Sequence, residues 1–123
     1  MPWDLLEPKS VRGFRKTGDI VPRTRGWQAA IAAAGMAEFP FLRVRGEIEL
    51  GNTNEHPHLA PTDLQTPDPA VLDFDVRIAI EGPSELVMHW AAMEIRHPIP
   101  EPPPETVRII WMGVEVAVLT IPS

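Results

Sequence analysis

The chain has 123 residues, no cysteine and a formal net charge of −6, with 44% hydrophobic and 23% charged residues. This composition is globular, and the length suits one domain that can bury a core without disulfides, thiolate metal sites or a cysteine nucleophile. The acidic balance argues against general binding to nucleic acid, and no apolar stretch is long enough to span a bilayer. The first residues do not resemble a signal peptide, so we expect a cytoplasmic protein.

Residues 1–24 are predicted to form an irregular arm in front of a single β-rich domain over residues 25–123. Prolines and glycines interrupt the arm every few residues. Residues 1–26 hold six basic and three acidic side chains, and residues 27–123 hold five basic and fourteen acidic ones. Because these balances are opposite, we expect the arm to dock on an acidic surface, of a second copy or of its own domain. The arm residues predicted to form this interface are Trp3, Leu6, Arg12, Phe14 and Arg15.

Residues 25–38 are predicted to form the one short α-helix of the chain. The segment is rich in alanine, which has the highest helix propensity, and Thr24 can serve as its N-cap. Pro40 disfavours helical backbone at the residue before it, which would end the helix. Trp27 and Ile31 would share one face of the helix and pack on a sheet.

Three later segments are predicted to form strands. Residues 41–50 and 71–81 alternate apolar and polar side chains, which is typical of half-buried strands. Residues 85–97 fit either a capped helix or a strand, and we favour a strand paired in a hairpin with residues 71–81. The polar side chains of the first segment are expected to form a solvated face with cross-strand ion pairs; they are Arg43, Arg45, Glu47 and Glu49.

The end of the chain is predicted to form a β-hairpin over residues 106–121 that turns near Gly113, after a proline-rich crossing at residues 98–105. Several short strands with turns between them and one helix indicate a mainly β fold. We therefore predict a small antiparallel sandwich or barrel.

Residues 51–70 are predicted to form a long loop that contains the best candidate for a metal site. His56 and His58 lie two residues apart, and Asp63 follows; imidazole and carboxylate are ligands for zinc, iron, nickel or manganese. His89 is a candidate for a further ligand. The alternative interpretation is that the two histidines are solvated on a polar, proline-rich loop.

The stretch from Gly51 to Asp63 resembles the first motif of the cupins, in which a glycine precedes His-x-His and then a carboxylate. The resemblance implies a small β-barrel that binds a divalent metal through His56 and His58. The chain departs from the motif, since the gap after the glycine is one residue short, the acid is Asp63, Pro57 stands between the histidines, and no second motif follows.

Two functions of different classes are compatible with these patterns. The first is a non-catalytic binding or assembly module that self-associates or binds a protein partner, suggested by the arm and by four tryptophans in a short chain. The second is a small β-barrel enzyme that binds a small molecule, with or without a divalent metal. No nucleophile elbow and no phosphate-binding glycine motif occurs in the sequence. We favour the first function.

Overall fold

Seven strands in two sheets make up the part of the chain that the computed structural model describes, residues 21–32 and 40–122. One sheet has three strands in the order β1-β2-β5, and the other has four in the order β3-β4-β6-β7. The strands are β1 (Thr24–Ala32), β2 (Phe41–Asn52), β3 (Glu55–Pro61), β4 (Val71–Ile80), β5 (Leu86–Pro98), β6 (Thr106–Trp111) and β7 (Val114–Thr120). The prediction of a mainly β fold is confirmed. Over the described residues the two sheets remain separate, so they do not close into a barrel, which was one of the two predicted arrangements.

The predicted helix over residues 25–38 is wrong where the structure describes it, because the chain there forms β1. β1 pairs antiparallel with β2. The ring of Trp27 lies against Gly46 of β2, in the space that any larger side chain at that position would fill. This packing outweighs the helix propensity of the alanines, which is a weak preference. Residues 33–38 of the prediction lie outside the described residues.

The two period-2 predictions are confirmed, and they account for most of the core. β2 points Leu42, Val44 and Ile48 inward, and each is at most 1% exposed. β4 contributes Phe74, which is fully buried. Side chains from both sheets therefore form one hydrophobic cluster, to which β6 adds Ile109. Burying this many large apolar side chains is the main source of stability in a β domain of this size.

Three details of the predicted topology need correction. The predicted loop over 51–70 is wrong in its first half, because residues 55–61 form β3, which pairs antiparallel with β4. β5 is a strand as preferred, but its partner is β2 in the other sheet and not β4. β4 and β6 pair in parallel, which departs from the expected antiparallel arrangement. The predicted final hairpin is confirmed as β6 and β7, which turn at Met112 and Gly113.

Candidate interaction surface

The predicted interface residues of the arm lie outside the described residues. They are Trp3, Leu6, Arg12, Phe14 and Arg15, all within residues 1–20. The interface prediction thus stays a prediction.

The two histidines of the candidate metal site lie side by side on β3. Because side chains two residues apart point to the same side of a strand, His56 and His58 share one face, and both are exposed. The Nε2 atom of His56 lies 3.3 Å from the carbonyl oxygen of Glu81. The structure thus places the imidazoles together on a strand, and not on the predicted loop.

The predicted carboxylate ligand already has a cationic neighbour. Asp63 is almost fully exposed and lies 3.7 Å from the guanidinium of Arg77, the residue opposite His58 in the pairing of β3 with β4. A positive guanidinium beside these groups disfavours a divalent cation, because like charges repel. Over residues 21–32 and 40–122 no group of three or more histidine, aspartate and glutamate side chains has metal-binding geometry. The metal hypothesis stays a prediction that depends on the two histidines.

A buried ion pair joins the middle of the four-stranded sheet. Asp73 of β4 is only 3% exposed, and its two carboxylate oxygens accept hydrogen bonds from Nε and Nη2 of Arg108 on β6 at 2.8 and 3.0 Å. Thr66 donates to the same carboxylate from its hydroxyl at 2.9 Å and its backbone N–H at 3.3 Å. Gln65 bonds the backbone N–H and carbonyl of Asp73 with its side-chain amide.

This network is structural. The hydrogen bonds from Arg108 hold the pKa of Asp73 below its ordinary value, against the opposing effect of burial, and those from Thr66 lower it further. A low pKa keeps the carboxylate charged, so it cannot act as a general acid near neutral pH. Its effect is to hold residues 62–70 over the outer side of β4.

The outer face of the three-stranded sheet is charged, as predicted, and its charges are largely paired. Arg23 makes a bidentate pair with Glu49 at 2.8 and 2.9 Å, and the pKa of Glu49 is lowered chiefly by these hydrogen bonds. Arg25 pairs with Glu47 at 2.8 Å, and its guanidinium also lies 3.9 Å from the centre of the Trp90 ring. Because its charged side chains pair with one another and Arg25 stacks on Trp90, this solvated face needs no outside partner for its charges.

Four strands lie at the edges of the two sheets within the described residues, and three of these edges carry devices that discourage pairing with another chain. β1 has a bulge at Gly26, whose φ is +68°, and exposed arginines nearby. β3 contains Pro57 and Pro61, which cannot donate to a neighbouring strand. β7 is short, carries Glu115 and has an irregular register with β6. Charges, prolines and bulges are the usual protection of sheet edges.

The fourth edge, on β5, lacks such protection along residues 86–93, which we call the β5 edge. Its sequence, Leu-Val-Met-His-Trp-Ala-Ala-Met, holds no aspartate, glutamate, lysine, arginine, glycine or proline. Leu86 is 88% exposed, Met88 is 66% exposed and Val87 is 46% exposed. β5 pairs with β2 on one side; on the other side no described strand is hydrogen-bonded to it, and β3 of the other sheet is its neighbour there. An uncharged, apolar, unpaired strand edge is a template for pairing with another strand.

Sequence reasoning missed the β5 edge because it paired these residues in a hairpin with residues 71–81. The signal that could have found it is the run of eight uncharged residues that follows the turn at residues 82–84 and Glu85. In a strand with one buried face and one solvated face, polar side chains would interrupt such a run at every second residue.

In comparisons with known proteins, no family model, no curated protein and no solved structure matched the chain. Within the described residues, no helix is both long and apolar enough to cross a membrane. Functional inference therefore depends on the surfaces of the chain itself, among which the β5 edge is the most distinctive.

Proposed function

We propose that this protein is a non-catalytic assembly module whose two sheets stack as a sandwich and which self-associates through the β5 edge. The observation that carries the proposal is the exposure of Leu86 and Met88 on residues 86–93 of β5, a segment that holds no charge and no proline and has no described strand hydrogen-bonded to its outer side. Two copies related by a two-fold axis would align their β5 strands antiparallel and join their three-stranded sheets into one sheet of six strands.

Charge supports the choice of this edge over other surfaces. Each copy carries a formal net charge of −6, so two copies repel each other over most approaches. Residues 86–93 bear no formal charge, so along this segment two backbones approach without like charges opposite each other, and Glu85 and Glu94 lie just beyond its two ends. Burial of a fully covered leucine or methionine contributes roughly 1.5–3 kcal/mol, and strand pairing adds directional hydrogen bonds.

The experiment is sedimentation of the full chain with a matched pair of lysine variants. Leu86→Lys places a charge on the β5 edge, whereas Leu64→Lys places the same charge at an equally exposed leucine, 87% against 88%, on the loop after β3. We expect the wild type and Leu64→Lys to form dimers at high micromolar concentration, and Leu86→Lys to sediment as a monomer. Because the copies repel, added salt should strengthen the wild-type dimer.

Two results would contradict the proposal. A wild-type chain that stays monomeric at all concentrations excludes self-association. A dimer that both lysine variants weaken equally places the contact elsewhere. Circular dichroism of the three proteins checks that each keeps its β structure, so that a loss of the dimer is not a loss of the fold.

A further inference from the structure

A second surface feature is a groove at the end of the domain where the described chain begins, and it shares Met88 with the β5 edge. The groove has a volume of about 420 Å³, and Val21 and Pro22 form part of its wall. Its apolar lining includes Leu50 and Trp111, which are 4% and 5% exposed, together with the side chain of Met88. A depression lined by such side chains favours an apolar occupant.

We infer that this groove is occupied by residues 9–16 of the same molecule, with Phe14 as the apolar anchor. The segment reads Lys-Ser-Val-Arg-Gly-Phe-Arg-Lys, so one aromatic side chain stands among four basic ones with no acid between them. An aromatic residue flanked by cations fits an apolar groove with an acidic surround, because burial and charge then act together.

The position of the groove along the chain favours residues 1–20 over any other occupant. Residue 20 directly precedes Val21, which lines the groove, so this part of the chain starts at the wall of its own binding site. A covalently attached segment has a high effective concentration, in the millimolar range for a short flexible connection. From Phe14 to Val21 the chain can extend about 20 Å at roughly 3.3 Å per residue, which is long enough to fold back.

The groove wall carries two glutamates, Glu49 and Glu55, and one arginine, Arg23. Arg23 pairs with Glu49 at 2.8 and 2.9 Å, so the wall holds one more negative than positive charge. Exposed Glu85 lies beside the turn between β2 and β3, because its carbonyl accepts a hydrogen bond from the backbone N–H of Thr53. The basic side chains of residues 9–16 would meet this net negative wall while Phe14 enters the groove.

The test uses the absence of cysteine from the chain, which allows a spin label to be attached at a single introduced site. In the full-length protein, Thr53→Cys carries the label on the exposed turn beside Asn52 of the groove wall, and Leu64→Cys carries it beyond the far end of β3. We expect the label at position 53 to broaden the amide signals of residues 9–16 until most of their intensity is lost. The label at position 64 should leave these signals unchanged, and Phe14→Ser should restore them when the label is at position 53.

A mixed sample separates the same molecule from a second copy. Isotope-labelled protein without the spin label is combined with unlabelled protein that carries it, in the Leu86→Lys background, where the β5 edge no longer pairs. We expect no broadening in this mixture. Broadening of residues 9–16 in the mixture would show that they bind another copy. No broadening in any sample would show that the groove does not receive them, and either result overturns the inference. Because the background removes β5 pairing, failure here is distinct from failure of the assembly proposal.

Discussion

Removing the Arg108 side chain should lower the free energy of unfolding far more than removing an arginine whose ion pair is exposed. In Arg108→Met the carboxylate of Asp73, only 3% exposed, loses both hydrogen bonds from the guanidinium and keeps those from Thr66. Breaking a fully buried ion pair from one side costs about 3–5 kcal/mol, and an exposed pair contributes under about 1 kcal/mol. The side chain of Arg108 is 34% exposed, so water reaches the site and the expected loss is about 2 kcal/mol.

The matched control is Arg43→Met, which removes the exposed ion pair with Glu94, where both side chains are more than one third exposed. Urea unfolding at pH 7 should give Arg108→Met a loss of about 2 kcal/mol in the free energy of unfolding, against less than about 1 kcal/mol for Arg43→Met. The first value corresponds to a fall in Tm of about 8 °C for a domain of this size.

Acid should remove the difference between wild type and Arg108→Met. The folded-state pKa of Asp73 is lowered by Arg108, so the stability from this pair is present above the ordinary aspartate pKa and is lost as the pH falls through the lowered one. Below both values Asp73 is protonated in either protein, and its missing partner matters little. In an Asp73→Asn background, Arg108→Met should cost clearly less. Equal losses for both arginine variants, or a difference that does not change with pH, would refute this reasoning.

Two further predictions concern the sheets. Gly46→Ala should destabilise the domain by about 1–3 kcal/mol, because the added methyl group would overlap the ring of Trp27. The control is Gly51→Ala, whose methyl group meets only a methionine sulfur at 3.4 Å and should therefore cost less. Thermal unfolding of the two variants measures the difference. The metal hypothesis predicts that zinc raises the Tm of the wild type and not of a His56→Ala, His58→Ala double variant. An unchanged wild-type Tm on adding zinc would end that hypothesis.

The alternation of buried and exposed side chains along a single strand could be predicted from the sequence, because burial of one strand face places an apolar residue at every second position. Leu42, Val44 and Phe74 are buried as that period requires. Sheet membership could not be predicted, since the same alternation is compatible with any neighbour; β5 was therefore assigned to the wrong partner. The burial of Asp73 was missed for a related reason, because it depends on a loop that folds over the strand and not on the strand itself.

Local composition misled the prediction for β1 and β3. The alanines around Trp27 favour a helix in isolation, and only the fit of its ring against Gly46 shows why the segment is extended. Pro57 argued for a loop, yet proline is tolerated in β3 because that strand lies at a sheet edge. Of the candidate site, the two histidines were found by residue type, but the unprotected β5 edge depends on which strands have no neighbour.

The order of the strands has a consequence for the protein while it is being made. β1 and β2 are synthesised before β5, yet the three-stranded sheet is complete only after β3 and β4, two of the four strands of the other sheet, have also been made. From Asn52 to Pro98, at about 5–20 residues per second, the edge of β2 that β5 will occupy stays without its neighbour for about 2–9 seconds. During that time the backbone groups of this edge are unpaired, so a chaperone would have an open strand edge to cover.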